Sequence, residues 1–309
     1  MSSRMIKVSG LTLLALFVAT AGWGRGSQNQ PSSQGNSSGS GAQSTPPSQP
    51  PPSGQLPGSQ PAGPSGQLPG SGQPAAAPQA NPQEDAAYKV FYDARTGDPQ
   101  KQILLGEDFI KKYPTSKYLG VVYAGLAADY LNTGDEDKMF SSAQKSIDAD
   151  PDNVDSLSLM VWAGARRVNA ASPDAAERFA KLENYAHHAI TLIASMTKPN
   201  GMDDATFNAA RNDKLSMCHS GLGLMDYVRQ RYPDAITELT QAVQLANTPD
   251  QVDYFILGRA DENASHFDDA ISAFGKCSDL GGQLAPNCKA GIDDAKKREL
   301  TSAQPQPSH

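Results

Sequence analysis

Apolar and small residues recur at helical spacing in the last two thirds of the chain. The clearest example spans residues 250–281, where two short apolar patterns flank a polar stretch. Their members are Tyr254, Leu257 and Gly258, followed by Phe267, Ala270, Ile271, Phe274 and Cys277. Residues three and four positions apart share one face of an α-helix, so each pattern predicts an amphipathic helix. Together the two patterns predict a helical hairpin.

Related pairs of helices are predicted upstream, so the expected fold class is all-α. The first pair begins at Glu84, and its second helix starts at Asp98-Pro99. The second pair turns at Thr133-Gly134-Asp135. The apolar positions of these two pairs are Tyr88, Phe91, Tyr92, Ile103, Leu104, Phe109, Ile110, Tyr123, Leu126, Ala127, Tyr130, Met139, Ala143 and Ile147. A third pair starts with Leu159, Trp162 and Ala163.

The hairpins repeat with a nearly constant period that breaks once. Ala127 and Ala163 are equivalent small residues 36 positions apart, and Gly223 and Gly258 are 35 positions apart. Ala163 and Gly223, by contrast, are 60 positions apart. The chain therefore carries about one helical hairpin every 35 residues, with an insertion before the fourth.

Two long helical patterns account for the insertion. They cover residues 175–195 and 204–229, and Pro199-Asn200-Gly201 separates them. We therefore expect one elongated hairpin in which each arm is longer than usual by about three turns. An additional helix outside the repeat is the alternative, if Asn212 or Gly221 interrupts the second pattern.

A single helix is predicted after the last hairpin, from Pro286 to Leu300, with Cys288, Ile292 and Ala295 on its inward face. Stacked hairpins leave an apolar face at the end of the array, and a terminal helix with a polar outer side covers it. We expect a capping helix followed by a disordered tail at 301–309.

The residues of the most regular hairpins resemble the tetratricopeptide repeat (TPR), a helical hairpin of about 34 residues. The positions that carry this resemblance are Leu126, Ala127, Tyr130, Ala143, Leu222, Gly223, Ala235, Leu257, Gly258, Ala270 and Phe274. The resemblance implies a right-handed α-solenoid over residues 84–300. One departure stands out, because Asp261 occupies the position where the family usually has an aromatic residue.

The TPR resemblance also implies a concave groove, lined by the first helix of each hairpin, that receives a protein or peptide partner. The positions carried over to this groove are Leu131, Asn132, Leu224, Tyr227, Phe255, Arg259, Glu262 and Asn263. Arg259 is the one cation among them, so the basic clamp with which some family members hold a C-terminal carboxylate is not visible. Tyr227 and Phe255 have core packing as an alternative.

The amino terminus has the pattern of a secretion signal. Arg4 and Lys7 precede an apolar run, and Ala19-Thr20-Ala21 has the form of a signal-peptidase site. We expect residues 1–21 to be removed and the protein to be exported, to the periplasm or beyond the cell. No cysteine follows the run, so a lipid anchor is not expected. An uncleaved signal that anchors the chain in the inner membrane is the alternative.

Residues 22–83 predict a disordered linker. From Gly26 to Gln83 the segment contains no charged residue and is rich in Pro, Ser, Gly and Gln. Such a composition buries too little apolar surface to offset the conformational entropy of the backbone. The formal net charge of the whole chain is −7, which argues against a nucleic-acid partner because phosphate binding needs a basic face.

The cysteines suggest a structural role. Cys277 ends the last hairpin and Cys288 lies early in the capping helix, so in an exported protein the two are candidates for a disulfide. Two buried thiols are the alternative. Cys218 has no predicted partner. It adjoins His219, but consecutive helical residues point about 100° apart and do not form a nucleophile–base pair with each other.

We find no motif for catalysis, metal binding or a cofactor in the sequence. Glu183 and His187 have helical i, i+4 spacing, but two ligands without a third are a weak metal signal. The favoured function is a non-catalytic interaction scaffold of the cell envelope. The alternatives are an envelope enzyme or enzyme subunit of hydrolase type, with a site near Cys218 and His219, and a purely structural spacer.

Overall fold

The computed structural model describes residues 81–302, and in this range the chain is all-α, without strands. The all-α fold predicted from the sequence is confirmed. The predicted signal peptide and nearly all of the predicted linker lie outside the described residues. The described helices are α1 (Pro82–Asp93), α2 (Pro99–Lys112), α3 (Leu119–Thr133), α4 (Glu136–Ala149), α5 (Val154–Ala165), α6 (Ala175–Ser195), α7 (Asp204–Val228), α8 (Tyr232–Leu245), α9 (Gln251–Asn263), α10 (Phe267–Asp279) and α11 (Ala285–Ser302).

Side-chain caps determine where several helices begin. The side chains of Asn81 and Asp98 accept backbone N–H groups at the starts of α1 and α2, each followed by a proline. A proline suits this position because its missing N–H would have no partner in the first turn. Helix α1 therefore begins at Pro82, two residues before the predicted start at Glu84. Helix α11 extends the predicted capping helix by one residue at its start and two at its end.

Successive helices form five hairpins that stack side by side, with α11 packed against α10 and α9. This is the α-solenoid architecture of TPR proteins. Three of the hairpin turns share one feature, which is a residue in the left-handed backbone conformation just after the first helix. It is Gly134 between α3 and α4, Gln230 between α7 and α8, and Ser265 between α9 and α10, with φ of 79°, 60° and 64°.

The TPR signature residues form the contacts between paired helices, and all eleven of them are buried. At Gly258 in α9, a methyl group added to the Cα atom would lie 2.8 Å from the ring of Phe274 in α10. At Gly223 in α7, it would lie 2.6 Å from the side chain of Leu239 in α8. Small residues at these positions allow the two helices of a hairpin to cross closely.

The predicted elongated hairpin is present as two long consecutive helices, α6 with 21 residues and α7 with 25, which are the second helix of the third hairpin and the first helix of the fourth. Helix α7 runs without interruption through Asn212 and Gly221, so no additional helix forms there. Gly221 instead marks the crossing of α7 with α5. A methyl group at this position would lie 2.5 Å from the Val161 side chain and 2.7 Å from its carbonyl oxygen.

The core follows the stack of hairpins. One cluster of buried side chains joins α4 to α10, another joins α1 to α5, and a third lies between α10 and α11. In the third cluster Phe274 packs against Ala295, and Gly291 allows α11 to approach the same ring. Helix α11 therefore covers the end of the array, as predicted for a capping helix.

Candidate functional site

First helices of four hairpins line a groove with a volume of about 580 Å³. Helices α3, α5, α7 and α9 contribute to its walls, together with the loops between α8 and α9 and between α10 and α11. The lining residues are Leu131, Trp162, Asp213, Ser216, Met217, Ala246, Thr248, Pro249, Asp250, Gln251, Val252, Asp253, Leu280, Gly282, Gln283 and Leu284. None of them is a lysine or an arginine.

A charged network joins α5, α7 and α9 at the floor of this groove. The Arg166 guanidinium donates to Asp250 Oδ2 at 2.8 Å, to Asp253 Oδ1 at 3.1 Å and to Ser220 Oγ at 3.1 Å. The Ser220 hydroxyl in turn donates to Asp253 Oδ1 at 2.6 Å. The Arg166 guanidinium also lies 4.4 Å from the centre of the Trp162 ring. The network orients the Trp162 ring and ties three hairpins together.

Asp253 is the most deeply buried charged member of the network. Its side chain is only 5% exposed. Burial raises the pKa of Asp253 to about 6, with a further contribution from Asp250, although Arg166 and Ser220 favour the ionised form. Both charged bonds of Arg166 are directed at groove carboxylates, so its guanidinium is not free to bind an incoming carboxylate.

The groove thus combines an apolar surface with negative charge. Trp162 and Met217 are half-buried on the first helices, and Leu280 is 43% exposed in the loop after α10. Asp213 is exposed at the rim. Arg166 at the floor is one basic side chain against Asp250 and Asp253, and Asp213 adds a third acidic side chain at the rim, so acidic side chains outnumber basic ones around the groove.

Only part of the predicted groove lining faces this groove. Leu131 lines it, whereas Asn132 is exposed elsewhere on α3. Leu224 is wrong as a groove residue, because only 2% of it is exposed and it packs in the core. Glu262 is also buried, in ion pairs with Arg259 at 2.7 Å and Arg298 at 3.0 Å. The second of these partners belongs to α11, so the capping helix covers this part of the predicted surface.

Four predicted residues surround these buried positions rather than the groove. Tyr227 and Phe255 are half-buried and pack on the core. The Arg259 guanidinium lies 5.5 Å from the Phe255 ring centre and is held by Glu262. The Asn263 amide donates to the Arg259 carbonyl at 2.7 Å. Whether any of these residues contacts a partner stays a prediction.

The cysteine pair frames one of the loops that line the groove. The structure joins Cys277 and Cys288, with their Cα atoms 5.8 Å apart. The groove residues of the connecting loop, from Leu280 to Leu284, lie between them. The Gln251 side chain donates to the Cys277 carbonyl at 3.0 Å and also to the carbonyl of Gly281. The state of this bond in the mature protein stays a prediction.

The Cys218 and His219 region does not assemble as a catalytic pair. Cys218 is fully buried, and burial raises the pKa of its thiol to about 12, so it carries no thiolate at neutral pH. His219 Nδ1 lies 2.7 Å from Glu238 Oε2, on α8. The histidine therefore contacts a carboxylate rather than the thiol.

A smaller polar cleft of about 280 Å³ lies between α6, α7 and α8, and Glu183 and His187 both line it. Two arginines, Arg229 and Arg231, bind the Glu183 carboxylate. Burial opposes its ionisation, but these two cations hold the pKa of Glu183 below its ordinary value. Of the two residues with i, i+4 spacing, Glu183 is thus already paired with two arginines.

Sequence reasoning missed the Arg166 network and the Trp162 wall of the groove. Trp162 stands where the preceding repeat has Leu126, and its equivalence to a core position concealed its place on the concave face. The only available signal was a charged residue, Arg166, directly after the apolar helix α5. Its partners are 84 and 87 residues away along the chain.

The fold and the groove define a TPR-like helical-repeat protein with an open groove on one face. Among the described helices, none is both long enough and apolar enough to span a membrane. No family model matches the chain, and neither does any curated protein.

Two solved structures are similar in their helical arrangement. One is TTC0263, a thermophilic TPR protein from Thermus thermophilus, with 12% identity and a TM-score of 0.42, covering 69% of this chain and 99% of its own. The other is PilW, a widely conserved type IV pilus biogenesis factor, with 15% identity and a TM-score of 0.44, covering 72% of this chain and 94% of its own. Both scores are low, so the fold assignment rests on the hairpins and signature contacts described above.

Proposed function

We propose that this protein is an exported, non-catalytic scaffold of the cell envelope that binds a segment of a partner protein in its groove. The observation that carries this proposal is the 580 Å³ groove, which draws its walls from the first helices of four successive hairpins. Concave sites with apolar walls and a few oriented polar groups are typical binding sites. A groove along a TPR-like stack of helices can hold a partner segment that is either extended or helical.

The chemistry of the lining narrows the partner. Half-buried Trp162 and Met217, with the exposed Leu280, offer an apolar surface for one or two large side chains. Asp213 and the partly exposed Asp250 supply acceptors at the edge. A segment with an apolar anchor next to a lysine or arginine fits this surface, because unlike charges meet across it. A C-terminal carboxylate does not fit, since Arg166 is already paired.

Site-specific photo-crosslinking tests the groove directly. A photoreactive residue replaces Leu280 in one variant and Leu300 in the other, and each full-length variant is irradiated in the cells that produce it. Both leucines are exposed, by 43% and 70%, but only Leu280 lines the groove. We expect a discrete crosslinked partner from position 280 and none from position 300. The same pattern at both positions, or no product at either, would contradict the proposal.

Export is a separate part of the proposal. It rests on the apolar run from Val8 to Ala19 and the Ala19-Thr20-Ala21 pattern. Amino-terminal sequencing of the purified protein is expected to begin at Gly22. Recovery of the chain with an intact first residue in the membrane fraction would favour the anchored alternative.

A further inference from the structure

Three side chains with metal-ligating atoms meet at the turn between α9 and α10. Asp261 lies in the last part of α9, His266 immediately precedes α10, and Asp269 lies in the first turn of α10. One donor atom from each lies within 4.8 Å of the other two. Asp261 Oδ1 and His266 Nδ1 are 3.6 Å apart. The set therefore offers one imidazole nitrogen and two carboxylate oxygens around one point.

The Asp261 carboxylate is buried with little compensation for its charge. The residue is 3% exposed, and its one polar partner among the described side chains is the His266 imidazole, 3.6 Å away. A buried carboxylate normally has a cation or several donors as partners. A cation at this point would supply the missing partner and offset the excess negative charge.

The preceding hairpin shows how the same position is neutralised within this chain. Asp226, Arg231 and Asp234 stand 35 residues before Asp261, His266 and Asp269, respectively. The Arg231 guanidinium bonds directly to the buried Asp226 carboxylate. The last repeat thus keeps both acids but has the shorter imidazole in place of the guanidinium.

The turn itself is the same in both hairpins. Gln230 and Ser265, also 35 residues apart, have φ of 60° and 64°. The backbone therefore presents the three side chains in the same way, and only the source of positive charge differs.

We propose that Asp261, His266 and Asp269 bind a divalent transition-metal ion of the Zn²⁺ class, with water completing its coordination. Zn²⁺ accepts imidazole nitrogen and carboxylate oxygen at about 2.0–2.2 Å, whereas Ca²⁺ and Mg²⁺ prefer oxygen ligands alone. Two ligands of a tetrahedral ion are then about 3.4 Å apart, which is close to the 3.6 Å separation of Asp261 and His266.

Access to the ion is open on one side. The His266 side chain is 55% exposed, and Asp269 is exposed as well. Both side chains are free to close on an ion that Asp261 holds from below. The bound ion would fasten the end of α9 to the start of α10, at the hairpin next to the capping helix.

Zinc titration of the full-length mature protein tests this proposal. The protein is purified without a histidine tag, freed of metal with a chelator, and titrated with zinc chloride in a calorimeter. We expect one Zn²⁺ per chain and a rise in the thermal unfolding midpoint. His266→Gln is expected to weaken binding at least about tenfold, a loss typical of damage to a metal's ligand environment.

His188→Gln is the matched control. His188 is another exposed histidine on a carboxylate, with Nε2 2.8 Å from Asp152 Oδ1, but no third ligand accompanies it among the described residues. This variant is expected to bind Zn²⁺ as the wild type does. A second variant, Asp269→Asn, changes an exposed ligand and so keeps the test independent of folding. No binding by the wild type, or equal binding by wild type, His266→Gln and Asp269→Asn, would overturn the proposal.

Discussion

The Arg166 network makes a specific prediction about stability and pH. Replacing Arg166 with methionine keeps much of the length of the side chain but leaves Asp250 and Asp253 without their shared cation. Removing one partner of a buried ion pair costs about 3–5 kcal/mol, because a charge stays buried without compensation. We expect a loss of this size in the free energy of unfolding at neutral pH.

The size of the loss is expected to depend on pH. Asp253 has an ordinary pKa of 3.8, and burial raises it to about 6 in the folded protein. Protonation therefore favours the folded state, and this stabilisation is lost as the pH rises through about 6. A shift of this size corresponds to about 3 kcal/mol when the group is fully ionised. Without Arg166 the pKa of Asp253 in the folded protein rises further. The loss in free energy of unfolding caused by Arg166→Met is therefore expected to grow from about pH 5 to about pH 8.

Urea unfolding followed by far-ultraviolet circular dichroism measures the effect, with Arg167→Met as the control. Arg167 is the next residue, but its side chain is 40% exposed and its ion pairs with Glu136 and Asp137 are both 3.8 Å long. Exposed pairs of this kind contribute about 0–1 kcal/mol. The reasoning would be refuted by equal losses for the two variants. It would also be refuted by a loss for Arg166→Met that is the same at both pH values.

Two further predictions concern cysteines and glycines. Without reductant, the native mature protein should not react with a thiol reagent, because Cys218 is buried and Cys277 and Cys288 are joined. Two alkylated cysteines before unfolding would disprove the disulfide. Gly134→Ala should destabilise the protein by about 1–2 kcal/mol, since φ there is 79° and the site is otherwise open. Gly275→Ala, at an open helical site, should instead stabilise it by about 0.5–1 kcal/mol. If urea unfolding showed that both glycine variants are stabilised, or that both are destabilised, this account of the turn would be contradicted.

The sequence predicts the hairpins well because each one is a local pattern. Helical spacing places the apolar side chains on one face, and the repeat period of Gly223 and Gly258 identifies equivalent crossings. Even the elongated hairpin is visible, since α6 and α7 are continuous amphipathic patterns bounded by proline and glycine. These features require no knowledge of contacts between distant residues.

The groove was harder to predict because it depends on helix phase and on what covers each face. A small rotation of a helix exchanges core and groove positions, as happened for Leu224. Glu262 was misplaced for another reason, because α11 lies over it and supplies Arg298. The sequence indicates a capping helix but not the face on which it packs.

Residues that meet only in the folded chain were not visible at all. Arg166 and Asp253 are 87 residues apart, and no periodic pattern links them. The Asp261 cluster is local, but its ligands bridge a turn rather than sharing one helical face, so helical spacing did not reveal it. The one sign of this cluster in the sequence was Asp261 itself, which stands where the TPR family usually has an aromatic residue.

The central claim is that the groove binds a segment with an apolar anchor beside a basic residue. The most direct test first selects peptides from a random library for binding to the mature protein. The affinity of the selected peptides is then measured for the wild type, Leu280→Lys and Leu300→Lys. Lysine at position 280 removes apolar surface from the groove and repels a basic peptide, whereas position 300 lies outside it. We predict basic-apolar peptides that bind Leu280→Lys at least about tenfold more weakly, or about 1.4 kcal/mol, and bind Leu300→Lys like the wild type. Acidic peptides, or equal affinity for all three proteins, would contradict the account.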